Sequence, residues 1–382
     1  MKPRRYWLMG MGIGLLVAII LLLGPLAPLL IDLGVEPVCI QSTFPGLTIV
    51  RCPEERITDV RATATALPPP IGEARIPVII DDDGSPDGML ALLYFLEHPG
   101  YDVVAVTISS GEAHTQLFAG HVARILAGLG RTDVPVGYGR EAPLAGSNAF
   151  PDPWRAATDT FWDIPLPEVD YPPAPQPSSS VLLEVINAAP QPVLLLLTGT
   201  HTNLAEALAL DPSIVSNIAS VVIMGGAVYV PGNIASDWPE IENTVAEWNI
   251  WVDPAAADAV FSSGLPLHLV PLDATNQIIW TREDAERWHS SDTSAGLLAA
   301  DLLDWMLNSW FPEGVYAWDL VTAVILTDPM LCPGEDLALE IVLDPGPQQG
   351  QTRVVDAPAN VHVCLQPVAT GIKARVGSVL GP

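Results

Sequence analysis

Four aspartates lie close together in the stretch Asp81-Asp82-Asp83-Gly84-Ser85-Pro86-Asp87-Gly88, directly after the uncharged, mainly β-branched run 76–80. Carboxylates this close repel one another unless a cation neutralises them. Hard oxygen ligands of this kind suit calcium or magnesium. An acidic surface turn is the simpler alternative, but so apolar a strand should lie inside a sheet, where its end is a functional position.

The residues around the aspartates predict how they are held. The run 76–80 predicts a short buried strand, because it is apolar and β-branched. Gly84, Ser85 and Pro86 then predict a turn, and residues 89–96 have helical character. The acids therefore sit at the carboxyl end of a strand, which is the edge where open α/β sheets bind ligands.

The same alternation of apolar runs and helical segments continues along the chain. It predicts an α/β fold with a mainly parallel central sheet flanked by helices. Further strands are predicted at 101–108, 134–136, 193–197, 219–224 and 267–270. Polar clusters follow five strand ends, and in a parallel sheet these would meet at one edge. This coincidence is the strongest argument from the residues alone for an enzyme site.

The amino terminus carries a topological signal. Three basic residues among the first five precede the uncharged stretch 6–31, which is long enough to span a bilayer. Positive charges favour a cytoplasmic amino end. We expect residues 1–32 to form a transmembrane anchor, with the rest extracytoplasmic; a cleaved signal peptide, giving a secreted protein, is the alternative. Residues 33–75 read as a proline-containing stalk, and 76–382 as the catalytic domain.

The amino-acid composition restricts the classes of molecule that can be binding partners. The chain has 44 acidic and 16 basic residues and a net charge of -28, which argues against nucleic acid and anionic membrane surfaces as partners. Four cysteines in an exported chain suggest disulfides, with the local pairings Cys39–Cys52 and Cys332–Cys364 favoured.

Two later segments hold further candidates. Residues 139–178 form a long proline-rich insertion, and a loop of this length is usually functional. Its notable side chains are Trp154 and Trp162, which either anchor the loop by packing or serve the site. Asp319 opens a predicted helix, where it is either an N-cap or a site residue.

Together these motifs resemble, in order and over residues 76–365, the nucleoside hydrolases, which cleave the N-glycosidic bond of ribonucleosides. The acidic stretch matches the family's Asp-x-Asp run and following acids. The other matching segments are Thr198-Gly199 with Asn203, Met224-Gly225-Gly226-Ala227-Val228, Pro231-Gly232-Asn233, Ala246-Glu247-Trp248-Asn249-Ile250, Asp253-Pro254, Leu272-Asp273 with Thr275-Asn276, and Tyr316-Ala317-Trp318-Asp319. The motifs are closest to the purine-specific members.

The resemblance implies one bound Ca²⁺, with ligands at Asp83, the Thr198 backbone carbonyl and Asp319. It also implies a calcium-activated water with Asp83 as its general base, attacking C1′ through an oxocarbenium-like transition state. The positions that match the substrate-binding residues are Asp87, Glu112, Asn233, Glu247 and Asn249, of which Glu112 replaces an Asp. The family is usually a dimer or tetramer, so a homo-oligomer is possible.

The leaving base would be recognised by two tryptophans. Trp318 stands where one subclass has a proton-donating His, and Trp154 matches an aromatic residue of the purine-specific subclass. The resemblance implies that the base is sandwiched between the two indoles and receives its proton from solvent. This predicts purine nucleosides as substrates. The alternative for Trp318 is an ordinary core residue.

One residue departs from the family pattern. The family's loop ends in two adjacent acids, the second a calcium ligand, and here that second position is Gly88. Fewer charged ligands imply weaker calcium binding. Strand alternation predicts that Asp82 points to the face opposite Asp83 and so does not compensate. The alternatives are therefore a purine nucleoside hydrolase, a non-catalytic nucleoside-binding protein, or an enzyme for another N-riboside, the last motivated by Glu112.

Overall fold

The computed structural model describes residues 40–44, 47–51, 75–170 and 172–381. The chain divides into two compact units, 1–67 and 68–382. In the first, strands β1 (Ile40–Phe44) and β2 (Leu47–Arg51) form an antiparallel hairpin within the predicted stalk. The predicted anchor and the Cys39–Cys52 pairing lie outside the described residues. Among the residues that are described, no helix is long and apolar enough to cross a membrane.

The second unit is built on a mainly parallel sheet, as predicted. The strands of this sheet are β3 (Ile76–Asp82), β4 (Tyr101–Ile108), β5 (Val136–Tyr138), β6 (Gln176–Pro177), β7 (Val193–Leu197), β8 (Ile218–Met224), β9 (Leu267–Val270), β10 (Glu335–Leu337) and β13 (Val361–Val363). A separate two-stranded sheet contains β11 (Leu339–Ile341) and β12 (Thr352–Val354). The nine-stranded sheet has the order β10-β13-β9-β8-β7-β3-β4-β5-β6. Only the β10–β13 pair in it is antiparallel.

Helices cover both faces of this sheet. They are α1 (Pro86–Glu97), α2 (Thr115–Gly128), α3 (Asp152–Asp159), α4 (Ser178–Ala188), α5 (Thr202–Leu210), α6 (Ile234–Asp237), α7 (Trp248–Val252), α8 (Pro254–Phe261), α9 (Leu272–Thr275), α10 (Arg282–Trp288), α11 (Ser294–Ser309), α12 (Trp318–Thr327) and α13 (Ala369–Leu380). Successive residues of β3 enter opposite cores: Val78 and Ile80 join one hydrophobic cluster, and Ile79 joins the other. The uncharged strand sequence follows from this burial on both faces.

The strand order creates a crevice beside β3. The chain adds β4, β5 and β6 on one side of β3 and then crosses to place β7 on the other side. Loops that leave the carboxyl ends of β3 and β7 therefore turn in opposite directions. Ligands of open α/β sheets bind at such a reversal point.

The sequence of the carboxyl-terminal region predicts two strands, at 338–343 and 353–365, that pair as a hairpin, and the structure differs from this prediction. β11 pairs with β12, whereas β13 joins the main sheet beside β9. Val361 and Val363 are buried there, and burial of these apolar side chains favours the sheet over a detached hairpin. The predicted Cys332–Cys364 disulfide is present, with a Cα–Cα distance of 5.6 Å.

Candidate active site

A cavity of about 370 Å³ opens at the carboxyl ends of the central strands. Every residue that the sequence analysis assigned to catalysis, metal binding or substrate binding lines it. These residues are Asp83, Asp87, Glu112, Trp154, Thr198, Asn233, Glu247, Asn249, Trp318 and Asp319. The fold thus gathers segments separated by more than two hundred positions in the sequence, while the individual roles of these residues stay predictions.

A tight turn carries the chain from β3 into α1. Gly84 has a φ of +90°, in the left-handed region that glycine adopts without a steric cost. Ser85 is the N-cap of α1, and its Oγ accepts a hydrogen bond from the Gly88 amide at 2.8 Å. Pro86 follows at the first helical position, where its missing N–H costs nothing. The local sequence therefore fixes where the aspartates point.

Asp83 is held in a close-fitting niche. A Cβ on Gly111 would lie 2.2 Å from its Oδ2, and one on Gly199 would lie 2.6 Å from its Cβ, so both positions need glycine. Asp83 is 2% exposed, and its carboxylate accepts a long hydrogen bond of 3.4 Å from the Glu112 amide. Burial, reinforced by the charges of Asp82 and Glu112, raises its pKa well above the usual range. A buried carboxylate with so little hydrogen bonding suits a base or a metal ligand.

Asp83 belongs to a group that we call the acid cluster. Its members are Asp82, Asp83, Asp87, Glu112 and Asp319. Burial raises the pKa of each, to about 7 for Asp82 and to about 6 for Asp87. In the described part of the chain, no Lys or Arg side chain lines the cavity. The cluster must therefore be neutralised by protons or by a bound cation.

The acid cluster ties two helix starts together. The Asp319 amide donates to Asp87 Oδ2 at 3.1 Å, and Ser85 Oγ donates to Asp319 Oδ2 at 2.8 Å. Asp319 is the second residue of α12, and Ala317 is the N-cap, so the N-cap interpretation of Asp319 is wrong. Because Asp87 accepts the helix amide, the Asp319 carboxylate is left to face the cavity.

The polar side chains expected to bind the sugar lie beside the acid cluster. Glu247 caps α7, accepting from the Asn249 and Gly226 amides at 2.9 Å each, and burial raises its pKa to about 7. Asn249 Nδ2 donates to the Thr198 carbonyl at 3.1 Å. Asn233 Oδ1 is buried and has no partner within the described residues. A buried acceptor beside a cavity calls for a ligand donor, such as a hydroxyl group.

Aromatic side chains form much of the remaining lining, and we call this group the aromatic wall. Its members are Phe150, Trp154, Trp162, Trp248, Trp305, Trp310, Phe311 and Trp318. Trp154 and Trp248 have ring centroids 5.3 Å apart, and Trp310 and Trp318 6.5 Å. Trp154 and Trp318 thus belong to two separate pairs of neighbouring rings, and both pairs line the same cavity. Sequence reasoning missed Trp305, Trp310 and Phe311 as site residues, and the one available signal was the high tryptophan count of 11.

Trp162 reaches the cavity through an unusual backbone conformation. Phe161, Trp162 and Asp163 have φ values of 52°, 55° and 59°, all in the left-handed region. This conformation costs about 1–2 kcal/mol per non-glycine residue. Trp162 is 4% exposed and packs against Trp305 in a tilted arrangement with ring centroids 5.6 Å apart. It therefore both anchors the long insertion and lines the cavity.

The donor atoms fit a hard divalent cation. In the ranges that the structure describes, no three acidic, His or Cys side chains lie close enough together to form a metal centre as placed. The chemistry of the donor set is nevertheless clear: buried carboxylates of Asp83, Asp87 and Asp319 and the Thr198 carbonyl line one cavity. Oxygen-only ligands suit Ca²⁺ or Mg²⁺, whereas Zn²⁺ sites use Cys or His.

Comparisons with known proteins agree with this geometry. A family model described as inosine-uridine preferring nucleoside hydrolase matches residues 78–373. The pyrimidine-specific ribonucleoside hydrolase RihA of Photobacterium profundum is 34% identical over 260 residues, covering 67% of this chain and 81% of the relative. A plant nucleoside hydrolase structure has a TM-score of 0.71 at 26% identity, covering 81% of this chain and 99% of that one. The purine-preferring ribonucleoside hydrolase from Gardnerella vaginalis shares the fold, with a TM-score of 0.67 at 23% identity over 80% of this chain and 99% of its own.

Proposed function

Because the chain belongs to the inosine-uridine preferring nucleoside hydrolase family, we propose that it hydrolyses ribonucleosides, with purine nucleosides preferred, to free base and ribose. The single observation that carries this proposal is the convergence of every predicted site residue on one cavity of about 370 Å³. That volume lies in the range of roughly 300–1,000 Å³ typical of small-molecule sites. One part of the lining is acidic and polar, and the rest is aromatic, which matches a sugar joined to a planar base.

Asp83 is the proposed general base. Its buried carboxylate has a raised pKa and little hydrogen bonding, so it has a free lone pair for a proton from the attacking water. When bound, a divalent cation, for which we propose Ca²⁺, supplies positive charge that keeps the acid cluster ionised and polarises the attacking water. Thr198 and Asp319, which line the same cavity, would hold the cation together with Asp83.

Four side chains are proposed to hold the ribose. They are Asp87, Asn233, Glu247 and Asn249. The unpartnered Oδ1 of Asn233 accepts from a sugar hydroxyl, while backbone amides hold the Glu247 carboxylate rigidly in place. Fixed acceptors of this kind hold the ribose so that C1′ lies between the attacking water and the leaving nucleobase. The entropic cost of this orientation is met on binding and not at the moment of reaction.

Trp154 and Trp318 are proposed to stack on the leaving base. Trp318 replaces a protonating His, so solvent supplies the proton and the indole faces favour the departing base. A purine offers more stacking area than a pyrimidine, which supports purine preference. Glu112, also in the cavity, would contact the substrate. Pyrimidine nucleosides are the second candidate, favoured by the 34% identity to a hydrolase named as pyrimidine-specific.

The test is a substrate screen on the purified full-length protein. Inosine, adenosine, guanosine, uridine and cytidine are incubated separately with added Ca²⁺ and after chelation, and free base is quantified by chromatography. The proposal expects Ca²⁺-dependent release with a higher kcat/KM for purine nucleosides. The reverse order would establish the pyrimidine candidate. Tight binding without release, measured by calorimetry, would replace hydrolysis with the non-catalytic nucleoside-binding alternative.

We also propose an extracytoplasmic location. It is supported by the charge pattern before residues 6–31 and by the Cys332–Cys364 disulfide, because disulfides persist mainly in oxidising compartments. Membrane anchoring by residues 1–32 and assembly into a homo-oligomer stay predictions from the sequence. Accessibility of the chain to an externally added protease on intact cells tests the location.

A further inference from the structure

The backbone conformation of residue 88 does not explain why this residue is a glycine. It is the third residue of α1, and it is not among the glycines with positive φ. A side chain at this position would therefore be compatible with the backbone, and glycine inside a helix is disfavoured relative to alanine. Something outside the helix must account for the missing side chain.

The carboxylate of Asp82 fills the space that a side chain at position 88 would need. A Cβ built on Gly88 would lie 1.7 Å from Asp82 Oδ2 and 2.5 Å from its Cγ. The Asp82 side chain is fixed there: Oδ2 accepts from Thr198 Oγ1 at 2.9 Å, and Oδ1 accepts from the Gly84 amide at 2.7 Å. An acid at position 82 and a side chain at position 88 are therefore mutually exclusive in this arrangement.

Strand alternation directs the Asp82 side chain away from the cavity lining and toward helix α1. Alternation does separate neighbouring side chains, because Asp81 turns to Thr107 and Asn203 at 2.8 Å and 2.7 Å. The face that Asp82 enters, however, is covered by the first turn of α1, which carries Gly88. Asp82 nevertheless contacts a residue of the proposed cation site, because its Oδ2 accepts the Thr198 hydroxyl hydrogen at 2.9 Å.

We propose that Asp82 supplies, from the end of β3, the carboxylate ligand that the family's loop carries at position 88. Asp82 does not line the cavity itself, and it would contribute its charge from beside Thr198, whose hydroxyl donates a hydrogen bond to it. The loop thus keeps its number of acidic groups while moving one of them from the helix to the strand. The inference rests on the proposed function only in that both concern the same divalent cation site.

The test compares five forms of the full-length protein, the native protein and four variants, by calorimetric titration with CaCl₂ in the absence of nucleoside. Asp82→Asn keeps the size and an acceptor oxygen but loses the charge, and is expected to bind Ca²⁺ about 100-fold more weakly. The double variant Asp82→Thr with Gly88→Asp returns the acid to the helix and is expected to regain affinity to within about tenfold of the native protein. Gly88→Asp alone is expected to bind poorly and to lower the Tm, because its Cβ meets Asp82.

Asp81→Asn is the matched control. It removes the same charge from the neighbouring buried residue, whose carboxylate is held by Thr107 and Asn203. A loss of affinity at Asp82 no larger than at Asp81, or Gly88→Asp alone matching the double variant, would overturn the inference. A merely structural Asp82 would instead give a lower Tm without Ca²⁺ and unchanged affinity in Asp82→Asn.

The outcomes also separate this inference from the proposed function. If the native protein binds Ca²⁺ in a manner that depends on Asp82 but releases no base from any nucleoside, hydrolysis is refuted and the ligand assignment stands. If it hydrolyses nucleosides but its Ca²⁺ affinity is unchanged in Asp82→Asn, the ligand assignment alone is refuted.

Discussion

The acid cluster and the aromatic wall face the same cavity but are built in different ways. Asp83, Glu112 and Thr198 follow β3, β4 and β7, which are neighbours in the sheet. Once a parallel sheet forms in this order, the polar groups at these strand ends must meet. The acid cluster is thus placed by topology, through strands whose own residues are almost all buried.

The aromatic wall depends on contacts between elements that are distant in the chain. Trp162 comes from the left-handed segment of the long insertion, and Trp305 comes from α11. Trp310 ends α11, and Trp318 begins α12. No single strand order fixes these positions, so the wall is set by helix and loop packing. We therefore expect the two regions to respond differently to substitution and to pH.

The largest effect is expected at the acid cluster. If the proposed hydrolysis is correct, Asp83→Asn should lower kcat by about 10³-fold or more, since the proposed general base and a proposed cation ligand are lost together. Steady-state kinetics at saturating Ca²⁺ gives the value. Asp301→Asn, on the exposed face of α11, is the matched control and should leave kcat unchanged. A kcat for Asp83→Asn within tenfold of native would remove Asp83 from the chemistry.

The second prediction uses the pH dependence of thermal stability to distinguish the acid cluster from the aromatic wall. Burial raises the pKa of Asp81 and Asp82 to about 7 and of Asp87 to about 6. The unfolded chain ionises these acids first, near pH 4, so without Ca²⁺ stability is highest at low pH and falls as pH rises through about 7. Calorimetric Tm values in chelator should therefore drop by several degrees between about pH 5 and pH 8.

Two variants sharpen this test. Asp83→Asn should flatten the fall in Tm, because it removes one buried charge from the acid cluster. Trp154→Ala should shift the Tm by the same amount at both pH values, because Trp154 does not titrate and the acid bound to the aromatic wall, Asp237, accepts its hydrogen bond from Trp248. A Tm that rises with pH in chelator would show that the acids are already stabilised as anions without a cation.

The same contrast explains how much could be predicted from the sequence. β4, β7 and β9 occupy the predicted bounds, and so does α8, because the sequence also predicts a helix over residues 254–261. The strands are short, buried runs, and α8 begins at a proline that follows an aspartate cap. Turn residues and caps of this kind are local signals, and they need no knowledge of the tertiary contacts.

The elements that were not predicted depend on distant partners. Helices α10, α11 and α13 were missed, and α11 packs among several elements with Leu302, Leu303 and Met306 fully buried. At the sheet edge, β13 pairs parallel with β9 and β10 pairs antiparallel with β13, so this arrangement depends on segments far apart in the chain. Trp305 and Trp310 could not be predicted as site residues for the same reason. They lie outside every local motif and reach the cavity only through the packing of α11.

The third prediction concerns the aromatic wall. Trp154→Ala and Trp318→Ala should each lower kcat/KM for purine nucleosides by about 10- to 100-fold, since aromatic stacking on a base contributes roughly 1–3 kcal/mol. Phe at either position should recover most of the loss. Trp238→Phe is the matched control, because Trp238 packs against Trp154 but does not line the cavity. Equal losses for purines and pyrimidines would show that these indoles do not select the base.

The smallest effect is expected where the two regions meet. Asn276 follows α9, just beyond the end of β9, and its Oδ1 accepts the Trp318 Nε1 hydrogen at 2.8 Å. A polar group near a strand end thus positions a residue of the aromatic wall. Asn276→Ala should lower kcat/KM by about three- to tenfold, the range for one neutral hydrogen bond at an exposed site.

Asn276→Asp keeps an acceptor oxygen in place and should recover the activity if Asn276 acts by orienting Trp318. The loss should also vanish in the Trp318→Phe background, where the ring has no N–H to orient. Comparing kcat/KM in the two single variants and the double variant measures this coupling. Additive losses would mean that Asn276 acts independently of Trp318, and the aromatic wall would then be positioned by packing alone.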